Sequence, residues 1–361
     1  MASSLKIRQV ADAKKRLENG LRQYGVEGED AFYAIAFRYV VHYRHALHDP
    51  PERIMQRGGK AFAKISNDEN LTGFLDWLVL SDSAGEELPV LYQHFFGRRF
   101  REGSGKFFTP RPVAAAMAAL LPLKRDAILM DPTCGAGTFL LEASKRWGEV
   151  PCCLVGNDVE SSLADLAQVV LNLGSPSYCQ KSFCVSNVYE PNAEFSQWYG
   201  HVDYILANPP FSLPIERMDV DGKLFSLGYR NSDALFLDVC LKLLRPGGRI
   251  VCLLPHSIIA NTEFQKLRWA VEESWDLLAI IGMPEGVFHI TANTTTRADI
   301  IILEKRSTAS ARPPKVVFAF ASSVGIPLSN RIRDELGNDL ERIVRDPDVA
   351  YTLGLQSEAQ L

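Results

Sequence analysis

The residues best suited to chemistry in this 361-residue chain are Asn208-Pro209-Pro210-Phe211, which directly follow the apolar run at positions 204–207. Asparagine carries both an amide donor and a carbonyl acceptor. The two prolines fix φ and donate no N–H, so the backbone carbonyls beside them stay rigid and open to a donor. Together with the flat face of Phe211, these groups could hold a planar group that bears an exocyclic amine, such as a nucleobase. A strand that simply ends in a Pro-Pro turn would show the same residues.

A glycine-rich segment upstream favours the first interpretation. The apolar run at positions 127–130 ends in Asp131-Pro132-Thr133-Cys134-Gly135-Ala136-Gly137-Thr138-Phe139, and a helical pattern follows at 140–147. Glycines let a ligand approach the backbone closely. The segment lacks the spacing of a dinucleotide fingerprint and the Gly-Lys-Ser/Thr of a phosphate-binding loop. Because a carboxylate opens the turn, it suits a ligand with a cationic amine better than a pyrophosphate. Taken alone, it could also be only a tight strand-to-helix connection.

A third polar residue, Asp158, ends the apolar segment 153–157 about 21 residues after Gly137. In a doubly wound fold, an acid at this distance holds ribose hydroxyls. Asp158 could instead cap the helix predicted at 161–173. Three polar strand ends in this order are more specific than any one of them.

The elements that must position these residues follow from hydrophobic periodicity. Helical spacing at 10–24, 30–47 and 71–80 predicts a helical first part, broken at 49–51 and at Gly58-Gly59. Beyond about residue 104, strands alternate with helices, which indicates a largely parallel sheet covered on both faces. Besides the strands already named, the candidate strands are 249–254, 277–281, 298–304 and 315–321.

Asp131 to Phe139 and Asn208 to Phe211 together resemble the amino-methylating DNA methyltransferases that use S-adenosylmethionine. Within them, the chain is most similar to the modification subunit of type I restriction-modification systems, an adenine-N6 methylase. Positions 105–110, Gly-Lys-Phe-Phe-Thr-Pro, resemble the amino-terminal cofactor motif of that family. The resemblance covers roughly residues 88–330 and includes the segments at 91–96, 283–288, 294–296 and 300–305.

The resemblance implies a fold and a division into domains. The implied fold is α/β, a Rossmann-like class I methyltransferase fold with a mostly parallel seven-stranded sheet flanked by helices. We expect an N-terminal helical domain at 1–103, the catalytic domain at 104–330 and a C-terminal helical tail at 331–361.

The resemblance also implies which residues hold the cofactor. Asp131 and the glycine turn would hold the methionine part, Asp158 the ribose, and Phe107 with Thr109 the other side. Asn187 stands where the family usually has an acid that contacts the adenine amine of the cofactor, which predicts weaker cofactor binding. The complete implied cofactor set is Phe107, Thr109, Asp131, Thr133, Gly135, Gly137, Thr138, Phe139, Asp158, Asn187 and Asn208.

The expected chemistry is methyl transfer from S-adenosylmethionine to the N6 amine of adenine, with no metal and no covalent intermediate. Asn208 and the carbonyl of Pro209 would each accept one amino hydrogen and so localise the N6 lone pair toward the methyl group. The base must leave the duplex to reach them, and Phe211 would stack on it. Phe288 is a candidate second stacking residue or a core residue.

Composition bounds the partners and the compartment. A net charge of −4 predicts that the chain grips double-stranded DNA weakly by itself, since self-sufficient DNA binders carry a basic face. No separate target-recognition region is evident, so either a specificity subunit reads the DNA or the chain is a truncated or stand-alone form. A restriction subunit and a homodimer stay open. Seven cysteines without a C-x-x-C pair, no secretory leader and no membrane span favour reduced thiols and a cytoplasmic protein.

Three alternatives remain open from the sequence. A protein-glutamine methyltransferase also brings a planar amine to Asn-Pro-Pro, although such chains usually have tyrosine at position 211. Cytosine-N4 methylation would favour serine or aspartate at position 208. The chain could also be a weakly active, cofactor-binding structural subunit.

Segment 212–230, rich in charge and glycine, is predicted to be a mobile lid that orders on DNA.

Overall fold

Short apolar runs separated by helices build one eight-stranded sheet. The computed structural model describes residues 14–45, 47, 49–82, 85–101, 108–288, 297–307, 315–328 and 337–355. For residues 97–101 it describes the backbone only. The strands are β1 Ala127–Asp131, β2 Cys152–Asp158, β3 Gln180–Val185, β4 Val202–Ala207, β5 Leu244–Pro255, β6 Trp275–Gly282, β7 Ala298–Lys305 and β8 Val317–Phe320.

The strand order is β3-β2-β1-β4-β5-β7-β6-β8. Only β7 runs antiparallel to its neighbours β5 and β6, so the sheet is mostly parallel, as predicted. One edge strand, β3, differs from the sequence-based expectation and makes the expected seven strands eight. The other edge strand, β8, lies within the candidate strand 315–321 and pairs with β6. β3 is absent from the candidate strands, since it begins with the polar residues Gln180, Lys181 and Ser182.

The register brings the polar strand ends to one edge of the sheet. Asp131 of β1 pairs with Gly156 of β2, so Asp158 lies two residues further along the neighbouring strand. Leu129 of β1 pairs with Tyr204 of β4. Because β1, β2 and β4 are parallel, their carboxyl ends meet at the same edge, where ligands bind in open α/β sheets.

The chain divides into two compact units. The second unit, Ser104–Ala164 with Pro176–Leu361, contains the sheet. Its core lies where α11 packs on the sheet, with Leu235, Phe236 and Val239 fully buried. The α-helices from residue 111 onward are α6 Arg111–Ala119, α7 Thr138–Trp147, α8 Ser161–Gly174, α9 Ala193–Ser196, α10 Lys223–Ser226, α11 Ser232–Leu243, α12 His256–Ala260, α13 Gln265–Ser274, α14 Asp339–Val344 and α15 Pro347–Leu353.

The first unit comprises Met1–Gly103 and Asp165–Ser175, the larger part of α8. Within it, Arg53 lies 3.4 Å from the Asp165 carboxylate, and Gln168 Nε2 donates to the Asp49 carbonyl at 2.7 Å. Its further helices are α1 at 14–22, α2 Glu29–His42, the π-helical turn Ile54–Gly58, α3 Gly59–Ala63, α4 Glu69–Ser81 and α5 Leu88–Arg101.

The predicted break at Gly58-Gly59 is wrong. The π-helical turn continues directly into α3 across these two glycines. A Cβ atom at Gly58 would lie 2.4 Å from the Tyr33 carbonyl oxygen and 2.6 Å from Phe37 Cβ. Gly58 therefore serves close packing against α2, which requires glycine as strictly as a turn does.

Over the described part of the chain, no helix combines the length and apolar character needed to cross a membrane.

Candidate active site

The glycine-rich turn after β1 depends on two left-handed backbone positions. Gly135 has φ of 51° and Gly137 has φ of 79°, a conformation in which an added side chain is strained. Gly137 precedes the first residue of α7. The turn is tied to the end of β2, since Gly135 N–H donates to Asp158 Oδ2 at 3.0 Å and Cys134 N–H donates to the Asn157 carbonyl at 2.7 Å.

Asp131 is a buried carboxylate, and no countercharge from the described residues affects its titration. Its side chain is 1% exposed, and Oδ1 accepts from Thr133 N–H at 3.1 Å. Among the described residues, neither Asp131 Oδ2 nor the buried hydroxyl of Thr133 has a hydrogen-bond partner. Burial raises the pKa of the Asp131 carboxyl well above its usual value; the Thr133 bond opposes the rise, and the Asp158 carboxylate adds to it. A cationic ligand group would relieve this cost.

Asp158 holds both the glycine turn and the approach to the next helix. Its Oδ2 accepts from Gly135 N–H at 3.0 Å, and its Oδ1 accepts from Glu160 N–H at 2.9 Å, directly before α8 begins. A carboxylate at this edge is a suitable acceptor for the hydroxyl groups of a ligand.

Asn187 lies two residues after β3, so it joins the same edge of the sheet. Its Oδ1 accepts from Tyr189 N–H at 3.1 Å, and its Nδ2 lies 3.4 Å from Glu190 Oε1. The side chain thus shapes a local turn and is half-buried.

Asn208 follows β4 directly and is held by a residue far away in the sequence. Its Nδ2 donates to Thr109 Oγ1 at 3.1 Å across 99 residues of sequence. Thr109 is 8% exposed. The structure therefore brings Thr109 of the amino-terminal cofactor motif into contact with Asn208 of the tetrapeptide.

Ser232 and Asp233, at the start of α11, hold the backbone that follows the tetrapeptide. The Ser232 hydroxyl donates to the Pro210 carbonyl at 2.6 Å and accepts from Leu213 N–H at 3.1 Å. Asp233 accepts a backbone hydrogen bond from Ser212, whose φ of 56° is unusual for a residue other than glycine. Ser232, the first residue of α11, thus fixes the loop through tertiary contacts.

Phe211 packs edge-to-face against Phe288, with ring centroids 6.3 Å apart and an interplanar angle of 87°. Phe288 is fully buried and is a core residue here, and Phe211 is 6% exposed. Stacking on a base therefore requires Phe211 to expose more of its face than it does in this structure.

The remaining predicted site residues have simpler positions. Thr138 and Phe139 form the first turn of α7, where Thr138 is half-buried and Phe139 is buried. Phe107 and the segment 294–296 lie outside the described residues. Within the described ranges, no group of three or more histidine, cysteine or acidic side chains is placed to hold a metal ion.

Segment 212–230, the predicted mobile lid, makes specific contacts within the second unit in this structure. Val220 and Leu224 are buried in the core cluster. Leu224 N–H donates to Asp238 Oδ2 at 2.9 Å, and Ile215 N–H donates to the Arg230 carbonyl at 2.7 Å. The charges and glycines that suggest mobility lie between these anchors.

The chain matches one protein family and several characterised relatives. The family model for N-6 DNA Methylase matches residues 90–344. The type II methyltransferase M.VspI of Vibrio sp. (strain 343) is 26% identical over 227 residues, which span 61% of this chain and 54% of that protein. The type I restriction enzyme MjaVII methylase subunit of Methanocaldococcus jannaschii is 27% identical over 260 residues, spanning 67% of this chain and 43% of that protein. The chain thus spans about half the length of these relatives.

Among solved structures, the chain is similar to a class I S-adenosylmethionine-dependent methyltransferase from Listeria monocytogenes. The TM-score is 0.60 at 19% sequence identity, and the match covers 88% of this chain and 95% of that one. At this identity the likeness concerns the fold. It confirms the predicted class I methyltransferase fold.

Proposed function

Given that the chain belongs to the N-6 DNA methylase family, we propose that it transfers a methyl group from S-adenosylmethionine to the N6 amine of a flipped-out adenine in DNA. The observation that carries the proposal is the position of Asn208. Its amide is buried at the carboxyl end of β4, beside the end of β1 that carries Asp131 and the glycine turn. An amine acceptor and a cofactor cradle thus lie on neighbouring strands.

The residues at the end of β1 fit the methionine part of S-adenosylmethionine. The buried Asp131 Oδ2 and Thr133 hydroxyl have no partner among the described residues, and both suit an ammonium donor. The left-handed glycines lead into the start of α7, whose first N–H groups would face the carboxylate of the cofactor. Asp158 would accept from the ribose hydroxyls, and Asn187 from the adenine amine. When bound, the cofactor supplies an electrophilic methyl group on a sulfonium.

Asn208 and Pro209 act on the amine that is methylated. The N6 lone pair of adenine is delocalised into the ring and is a poor nucleophile. Asn208 Oδ1 and the Pro209 carbonyl each accept one amino hydrogen, which localises the lone pair on N6 and aims it at the methyl group. The proton that N6 loses after transfer passes to water, because neither carbonyl oxygen is basic enough to keep it. Placement and electrostatics supply the rate enhancement, with no covalent bond to the protein.

Phe211 stacks on the flipped base once its ring is uncovered. The base must leave the duplex, because N6 cannot reach Asn208 from inside the stack. A ring that packs against Phe288 before DNA binds and against the base afterwards keeps the pocket closed to water between turnovers.

The expected partners follow from charge. A net charge of −4 predicts weak binding of double-stranded DNA by the chain alone, so a partner would supply DNA affinity and sequence recognition. We propose a specificity subunit as that partner, with a restriction subunit in the same complex.

The proposal is tested by following labelled methyl groups from S-adenosylmethionine into DNA and into protein. The chain is assayed alone and with the products of neighbouring genes, and the labelled DNA is digested to nucleosides. Label recovered in N6-methyldeoxyadenosine supports the proposal. Label in protein glutamine or in N4-methyldeoxycytidine would overturn it, and cofactor binding without transfer would indicate a structural subunit.

A further inference from the structure

Thr109 is the described residue through which the amino-terminal motif bonds to the tetrapeptide. We propose that Thr109 is a positioning residue for methyl transfer, whose hydroxyl holds the Asn208 amide with its nitrogen toward Thr109 and its carbonyl oxygen toward the target amine. The 3.1 Å bond from Asn208 Nδ2 to Thr109 Oγ1 carries this inference. It rests on the proposed function and deepens it, since the resemblance assigns Thr109 only to the cofactor.

The backbone that carries Thr109 is held rigidly at the start of α6. Pro110 follows it with φ of −58°, and the Pro110 carbonyl accepts from Val113 N–H at 3.0 Å and Ala114 N–H at 3.1 Å. These bonds start α6, on which Val113 and Ala114 are fully buried. The hydroxyl of Thr109 therefore has a fixed position relative to the sheet edge, which a positioning residue needs.

Helix α6 is itself attached to the helix that follows the glycine turn. Arg111 Nε donates to Glu142 Oε1 at 3.0 Å, and Glu142 lies in α7. Thr109 and the glycine turn therefore adjoin two helices, α6 and α7, that are bonded to each other. The amide of Asn208 is thereby positioned relative to the methyl donor, on which in-line transfer depends.

The direction of the amide matters because adenine N6 offers only hydrogens to Asn208. A carbonyl oxygen accepts one of them, whereas a reversed amide would bring two donor groups together. Holding the nitrogen on Thr109 turns the oxygen to the opposite side. Removal of the hydroxyl abolishes the Thr109 bond that favours the productive direction, so the reversed amide becomes more populated.

The test compares two pairs of side chains that differ chiefly by one hydroxyl, Thr against Val and Ser against Ala at position 109. In single-turnover transfer to DNA at saturating S-adenosylmethionine, we expect Thr109→Val to be about tenfold slower than wild type, the effect of one lost hydrogen bond. Thr109→Ser should retain the rate within about twofold, and Thr109→Ala should be as slow as Thr109→Val. The dissociation constant for S-adenosylmethionine should change by less than about twofold in all variants.

A double-mutant comparison separates orientation from other roles of Thr109. A carboxylate has two equivalent oxygens, so its direction needs no control. In an Asn208→Asp background, Thr109→Val should therefore slow transfer by less than about threefold. Equal losses in both backgrounds would show that Thr109 does not act by orienting Asn208.

Other results would also overturn the inference. A rate loss in Thr109→Val that disappears at higher S-adenosylmethionine would make Thr109 a cofactor-binding residue only. Equal rates for Ser and Ala at position 109 would remove any role for the hydroxyl, and this pair stays informative if Thr109→Val does not fold. A wild-type protein that methylates no adenine would instead refute the proposed function itself.

Discussion

Replacing Asp131 with asparagine should stabilise the protein and at the same time weaken its binding of S-adenosylmethionine. The carboxylate is 1% exposed, Oδ2 has no partner among the described residues, and burial raises its pKa well above the usual value. An amide of the same shape keeps the bond from Thr133 N–H and removes the buried charge. The same charge is what a cationic ligand group would require, so stability and binding should respond in opposite directions.

The sign and size of the stability change follow from the raised pKa. The unfolded carboxyl titrates near pH 3.9, so the folded protein holds this proton more tightly than the unfolded chain. Stability from this group is complete below about pH 4 and is lost as pH rises through the raised pKa. An unsatisfied buried polar group costs about 1–3 kcal/mol. We expect Asp131→Asn to gain about 1–2 kcal/mol at pH 8, or about 2–8 °C in Tm for a domain of this size.

Thermal melting at pH 5 and pH 8 measures this effect, and Asp203→Asn is the matched control. Asp203 of β4 is also buried, but bonds from Lys124, Ile128 N–H and Arg245 outweigh burial and lower its pKa. Its contribution is present above about pH 4 and is lost as pH falls through the lowered pKa, so Asp203→Asn should lower Tm at pH 8. The reasoning is refuted if Asp131→Asn lowers Tm at pH 8, or raises it equally at both pH values.

Calorimetric titration supplies the second half of this prediction. Loss of a charge-assisted hydrogen bond worth about 1.5–3 kcal/mol should weaken S-adenosylmethionine binding by about 10- to 100-fold in Asp131→Asn. An unchanged dissociation constant would show that Asp131 does not hold the cationic amine.

Two further substitutions test the loop and the cofactor pocket. Ser232→Ala removes the bonds to the Pro210 carbonyl and from Leu213 N–H. It should slow single-turnover transfer about tenfold, with little change in S-adenosylmethionine affinity. A wild-type rate would contradict a role of Ser232 in fixing the tetrapeptide. Asn187→Asp keeps the acceptor for Tyr189 N–H and strengthens the acceptor for the adenine amine of the cofactor. Calorimetry should therefore show about three- to tenfold tighter binding of S-adenosylmethionine. Weaker binding would show that the adenine of the cofactor does not contact residue 187.

The sequence predicts the central strands and the polar residues at their ends because both are local patterns. β1, β2 and β4 are apolar runs that stop at Asp131, Asp158 and Asn208. Parallel pairing then brings these three residues to one edge without further information. The edge strand β3 carries too few apolar residues for its sequence to predict a strand.

What the sequence cannot predict depends on contacts between distant residues. The bond between Thr109 and Asn208 spans 99 residues, and nothing local distinguishes the Thr109 hydroxyl from one that faces solvent. Likewise, nothing in the local sequence shows that the Ser232 hydroxyl fixes the Pro210 carbonyl 22 residues earlier. Gly58 reads as a helix break because glycine is locally unfavourable there, and tight packing against Tyr33 overrides that preference.

The most direct test of the account is the single-turnover rate of methyl transfer to adenine N6 in DNA for Asn208→Ala, at saturating S-adenosylmethionine. Loss of the acceptor that activates the amine should slow transfer by about 100- to 1,000-fold, comparable to removal of one preorganised catalytic hydrogen-bonding group. Asn70→Ala, at an exposed position of α4, should retain the wild-type rate. A rate in Asn208→Ala close to that of wild type, with product still at adenine N6, would contradict the central claim.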